Sequence, residues 1–98
     1  MGDRGFTPML MTYFYHRIIV ADQLAQTRNL VSEVLRGGGF SNIIHVRDGQ
    51  ELLDATVEHG PRVVITTSRL PGLSGLEFTR LIREGYKNVP RELSIIAM

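Results

Sequence analysis

Two short clusters in this sequence carry groups that could do chemistry. The first is Asp22-Gln23, directly after the apolar run Ile18-Ile19-Val20-Ala21. The second is Thr66-Thr67-Ser68, directly after Val63-Val64-Ile65. A carboxylate at a strand end can hold a hard cation, which prefers anionic oxygen ligands. The same carboxylate can instead cap the helix that follows, where its charge suits the helix dipole. The cap is the preferred reading of Asp22. A hydroxyl in 66–68 could take up a phosphoryl group, but a threonine is a poor nucleophile without an activating base. None is evident nearby, so this stretch reads as a β-rich strand end plus loop. Arg69, Arg80 and Arg83 could hold an anion or a nucleotide. Solvated arginines on a helix surface are the plainer reading.

Other chemistries are excluded by composition. There is no cysteine, so disulfides, thiol catalysis and cysteine-bound metals are ruled out. His16, His45 and His59 show no ligand spacing. Gly37-Gly38-Gly39 follows a helical segment and lacks the Lys-Ser/Thr of a phosphate-binding loop, so it reads as a helix stop. A net charge of +1 provides no broad field for nucleic acid or an anionic membrane. No uncharged run is long enough to span a bilayer. The apolar part of Met1–Arg17, Met9 to Tyr15, is short and has no small-residue cleavage site after it. A cytoplasmic protein is therefore expected rather than an exported one. Nothing points to an enzyme.

The elements that must position these groups follow from periodicity. With 98 residues the chain makes one domain at most. Arg17 to Ala21 is a short β-branched run, read as a buried strand. Leu24 to Arg36 places apolar residues at 24, 31, 34 and 35 with Leu30 beside them, which is helical spacing. Asn42 to Val46 is a second strand. Asp48 and Glu51 are spaced as a capping box, and Leu52, Leu53 and Val57 give the next helix its apolar face. Arg62 to Thr66 is the third strand. Ser74 and Glu77 form a second capping signal for a helix that reaches Arg83. Leu93 to Ala97 reads as a fourth strand. Strands alternating with helices imply a parallel sheet with helices on both faces.

The stretch from Pro61 to Gly75 resembles the segment that carries the phosphate-accepting aspartate in receiver domains of bacterial response regulators. There it reads roughly P-D-L-V-I-x-D-x-x-M-P-G-M-D-G. Pro61, Val63, Val64, Ile65, Pro71, Gly72 and Gly75 fit it. Four further motifs fit in order. They are I-I-V-A-D-Q at 18–23, the spacing of Arg28, Val31 and Leu35, Gly39-Phe40, and the Asp48-Gly49-Gln50-Glu51 entry to the second helix. The resemblance implies an α/β, flavodoxin-like sheet of strand order 2-1-3-4, truncated to about four strands. It also divides the chain into an N-terminal extension, 1–16, and a receiver-like domain, 17–98, expected to lack the last helices and strand five with its lysine.

The departures from that family carry the functional expectation. Receivers hold Mg²⁺ with two acids after strand one and the acceptor aspartate, while a phosphoryl group moves from a phosphohistidine to the carboxylate. Asp22 keeps the first acid, Gln23 replaces the second, and Thr67 occupies the acceptor position. Asp22, Gln23 and Thr67 should cluster at the strand C-terminal edge, near the switch in strand order. Asp22 is at most a weak metal ligand, and Mg²⁺ binding should be weak or absent. The resemblance then implies two-component or phosphorelay signalling by a pseudo-receiver that binds a histidine kinase, a phosphotransferase or another receiver. Leu24 and Arg28 on the first helix, with Tyr13 and Phe14 ahead of it, are the candidate contact residues. The apolar edge Leu93 to Ala97 and the Met9–Tyr15 segment make self-association an expectation too. A receiver phosphorylated on another group, and a nucleotide-sensing module, are the alternatives.

Overall fold

The computed structural model describes residues 15–98. Its elements run β1 Ile18–Ala21, α1 Ala25–Gly37, β2 Ile43–Val46, α2 Gly49–His59, β3 Val63–Thr66, α3 Gly75–Glu84 and β4 Ser94–Ala97. Each strand starts one residue later than the apolar pattern suggests. The four strands form one parallel sheet in the order β2-β1-β3-β4. The chain steps from β1 to β2 on one side, then crosses back over β1 to reach β3. Right-handed crossovers therefore put α1 on one face and α2 and α3 on the other. Register sets which residues share a face. Ile18, Val20, Ile43, His45, Val63 and Ile65 point to the α1 side, while Ile19, Ala21, Ile44, Val46, Val64 and Thr66 point to the other.

The core lies between the sheet and α2 and α3. Ile19, Val64, Leu52, Phe78 and Ile82 are fully buried there, joined by Ala21, Val46, Leu70 and Leu93. Burying side chains of this size stabilises the fold by about 1.5–3 kcal/mol each. On the other face α1 packs against β1. Beside it lies an apolar groove of about 150 Å³, lined by Ile18, Leu35, Phe40, Val63, Ile65 and Ile96.

Helix α1 departs from its apolar pattern. Val31 and Leu35 are half-buried, whereas Leu24, Leu30 and Val34 stay exposed, at 57%, 63% and 70%. The small Ser32 takes the buried position instead. The two capping signals also differ. At α3 the box is complete: Ser74 Oγ accepts from the Glu77 N–H, and Glu77 Oε1 accepts from the Ser74 N–H. At α2 only half forms. Asp48 Oδ1 accepts from the Glu51 N–H, but the Glu51 carboxylate reaches one residue further back, to the Arg47 N–H and guanidinium. Two donors on one residue outcompete the single N–H of Asp48. α2 ends at Gly60, whose left-handed φ of 55° lets its N–H return to the Thr56 carbonyl.

Candidate functional site

Parallel register places Val46, Ala21, Thr66 and Ala97 in one row across the sheet. The next residue of each strand forms the rim. Asp22 and Thr67 are therefore neighbours, and the ladder continues through them. The Asp22 N–H donates to the Val46 carbonyl at 3.1 Å and the Thr67 N–H to the Ala21 carbonyl at 3.0 Å. This rim lies where the strand order switches between β1 and β3, the usual ligand edge of an open parallel sheet.

Asp22 is buried, at 7% exposure. Its Oδ1 accepts from the Leu24 N–H at 2.9 Å, two residues on. That is an Asx turn at the entry to α1 rather than a cap on the helix itself. The residue at the N-cap is Leu24, which has no side chain to cap with. Arg28 Nη1 donates to the Asp22 main-chain carbonyl at 2.6 Å, so α1 is tied back to the rim from its first full turn. Gln23 is exposed, and Thr67 is half-buried. Among the described residues Thr67 Oγ1 accepts only a long bond, 3.5 Å, from the Arg69 N–H. Thr66 Oγ1 donates to the Thr67 carbonyl at 3.0 Å. The rim thus presents one carboxylate, one amide and one hydroxyl. Among the described residues no three His, Cys, Asp or Glu gather closely enough to hold a metal ion.

The β3–α3 loop is held by main-chain bonds. The Gly49 N–H donates to the Pro71 carbonyl at 2.8 Å and the Gly75 N–H to the Ser68 carbonyl at 3.2 Å. Gly75 is buried, and a Cβ there would sit 3.3 Å from the Thr67 carbonyl oxygen. Arg69 and Arg83 do not form one site. Arg69 lies in this loop, while Arg83 is in the last turn of α3 and donates to the Arg91 carbonyl. A cleft of about 480 Å³ lined by Gly60, Pro61, Arg62, Pro90, Glu92 and Leu93 opens at the opposite edge of the strands, away from the rim.

Of the candidate contact residues, Leu24 is exposed at the start of α1 and Arg28 is partly buried at the rim. Tyr13 and Phe14 lie outside the described residues. Sequence reasoning did not find the bond from Arg28 to Asp22. Nor did it find the 2.8 Å pair between Ser32 Oγ and His45 Nε2. Their partners come from different elements, and no spacing within one segment signals them.

The family model of the response regulator receiver domain matches residues 18–98. The chain belongs to that family. Among curated relatives, the protein-glutamate methylesterase/protein-glutamine glutaminase of Haloarcula marismortui is 36% identical over 66 residues, covering 67% of this chain and 18% of the relative. The DNA-binding response regulator MtrA of Mycobacterium tuberculosis is 36% identical over 67 residues, covering 68% of this chain and 29% of the relative. The chain thus spans less than a third of these relatives. Among solved structures, the chemotaxis response regulator CheY4 of Vibrio cholerae superposes with a TM-score of 0.75 at 22% identity. That match covers 85% of this chain and 67% of CheY4, and it supports the flavodoxin-like fold. This receiver domain is a module of two-component signalling. No helix among its described residues is long and apolar enough to cross a membrane.

Proposed function

We propose that this receiver domain is a pseudo-receiver, which binds a signalling partner in the cytoplasm without accepting a phosphoryl group. The observation that carries the reading is Thr67. It stands one residue past Thr66, beside Asp22, where a receiver needs its carboxylate acceptor. A hydroxyl there would have to lose its proton to attack phosphorus, and among the described residues it is hydrogen-bonded to no base. The other donors do not fit Mg²⁺ either. Asp22 offers one carboxylate whose Oδ1 is already engaged, and Gln23 offers a neutral amide. Hard divalent cations are held by several charged oxygens. We therefore read Mg²⁺ binding as weak or absent.

What remains is recognition. Leu24 is exposed at the rim end of α1, and Leu30 and Val34 are exposed further along the same helix. Apolar side chains left exposed along one helix offer contact area to a protein partner. A histidine kinase, a phosphotransferase or another receiver fits the family. The test is incubation with acetyl phosphate or beryllofluoride and Mg²⁺, read by intact mass spectrometry. No adduct is expected. A stoichiometric added phosphate would overturn the reading.

A further inference from the structure

Helix α1 has a second surface, on the side of β2. Arg28, Ser32 and Arg36 follow at four-residue spacing and form one stripe along the helix. Ser32 is buried, and its Oγ lies 2.8 Å from Nε2 of His45, an exposed residue of β2. Among the described residues β2 is an edge strand, with β1 as its one neighbour. The Ile18 N–H donates to the Asn42 carbonyl and the Asp22 N–H to the Val46 carbonyl. Asn42, Ile44 and Val46 thus turn their main-chain groups toward β1. Alternation turns those of Ile43 and His45 outward. Three basic side chains therefore stand beside an open strand edge.

Among the described residues these groups form no ion pair with an acidic side chain. Arg28 uses one N–H on the Asp22 carbonyl, while its Nε is buried and meets no acceptor among the described residues. A buried cationic donor without an acceptor is unfavourable. Glu51 lies within the field of Arg28, but Arg47 engages both of its carboxylate oxygens. Glu33 stands three residues before Arg36 on the same helix, but the two form no ion pair among the described residues.

We propose that the α1–β2 seam binds a carboxylate-bearing segment of a partner protein, laid in extended form along β2 with its acids facing Arg28, His45 and Arg36. Charge selects an acidic segment. The outward N–H and C=O groups of Ile43 and His45 provide main-chain pairing for an added strand. His45 reports on occupancy. In the free protein, partial burial of the ring and then the charges of Arg28 and Arg36 hold its pKa below the ordinary histidine value. A carboxylate seated between them works in the opposite direction. The seam is independent of the chemistry at Thr67, so its failure would leave the pseudo-receiver reading intact.

The experiment uses the whole 98-residue chain, ¹⁵N-labelled, titrated at low salt with an N- and C-terminally blocked hexaglutamate peptide. Saturable amide shifts should centre on Arg28, Ser32, Arg36, Ile43 and His45. The His45 ring should titrate at higher pH with peptide bound. Arg36→Glu should weaken binding by about ten-fold or more, while the exposed control Arg80→Glu should leave it within about two-fold. Three results would each overturn the proposal. One is the absence of saturable shifts. Another is equal weakening by both variants, which would mean bulk charge attraction. The third is an identical shift map at equal or lower concentration of inorganic phosphate or a short DNA strand, which would make the seam a general anion site.

Discussion

Gly49 is the first residue of α2, and it is buried under the loop that shapes the rim. A Cβ at this position would lie 2.3 Å from the Leu73 Cβ, 2.9 Å from the Leu73 main-chain nitrogen and 3.2 Å from the Gly72 carbonyl carbon. Two of those three atoms belong to main chain, so no rotamer change relieves the contact. Gly49→Ala must push α2 and the β3–α3 loop apart. That movement also strains the 2.8 Å bond from the Gly49 N–H to the Pro71 carbonyl. Overpacking of this kind costs about 1–3 kcal/mol. Losing the buried main-chain bond adds about 1 kcal/mol. Alanine's better helix propensity returns at most about 1 kcal/mol, and less at the first position of a helix. The net destabilisation is about 1–4 kcal/mol. In a domain of this size each kcal/mol lowers Tm by about 4–8 °C, so a fall of about 4–32 °C is expected in thermal denaturation followed by circular dichroism. A Tm equal to or above that of the parent would refute the argument, because it would mean the loop and α2 do not meet as closely as described.

Further tests address the rim, the helix ends and the edge strand. Thr67→Asp with Gln23→Asp puts three carboxylates at the rim. The double variant should be less stable than the parent without metal. It should regain about 2.7 kcal/mol with Mg²⁺ at a hundred times its Kd; a Tm indifferent to Mg²⁺ would show that the rim geometry does not assemble a cation site. Ser74→Ala removes the acceptor for the Glu77 N–H and should cost about 0.5–2 kcal/mol in urea denaturation with unchanged m. A shift in midpoint below the experimental error would count against the capping box. His45 has its pKa lowered from an ordinary value of 6.5 by partial burial, Arg28 and Arg36. The unfolded chain then binds the proton more readily, so this contribution is complete above pH 6.5 and is lost as pH falls through the folded pKa. Solvent exposure keeps it small. The urea midpoint should fall more from pH 7.5 to 5.5 in the parent than in His45→Gln, and equal slopes would exclude the effect.

Much of the fold is legible in the sequence because it rests on local signals. Four β-branched runs, two cap sequences and the glycines after α1 and α2 each act within a few residues. Together they imply the order of elements, while the strand order 2-1-3-4 is what the resemblance to receiver domains implies and what the sheet shows. The misreadings share a cause. Leu24, Leu30 and Val34 are apolar at helical spacing, yet spacing does not say which arc of a helix meets the sheet. Here Ser32 takes the inner side, with Arg28 partly buried one turn before it. The same limit explains Glu51. Its position at N3 predicts a bond to Asp48, but the Arg47 side chain, which no capping rule counts, draws the carboxylate away. The Ser32–His45 pair and the Arg28 clamp are tertiary contacts, which become visible only once α1 is laid across the sheet.

Asp22 was legible as a residue but not as a role, and its role explains how this rim can lose acids without losing the fold. Its carboxylate starts α1 through the Leu24 N–H, and its carbonyl anchors Arg28. Replacing its side chain would lose the bond to the Leu24 N–H, while the main-chain carbonyl that holds Arg28 would remain. Gly49, Pro71, Ser74 and Gly75 are likewise committed, through close approach, main-chain bonds or the cap of α3. Positions 23 and 67 carry no comparable burden. Gln23 is exposed, and among the described residues the Thr67 hydroxyl accepts only the long bond from Arg69. The Thr67 main chain, which does bond across to Ala21, is the same for any residue with a free N–H. The two positions that depart from the acidic pattern are therefore the two whose side chains the fold does not use. Phosphoryl chemistry and folding are separable at this edge: substitution at 23 and 67 changes the donors offered to a ligand, while the clamp at Asp22 continues to hold α1, and with it both of its exposed flanks, against the sheet.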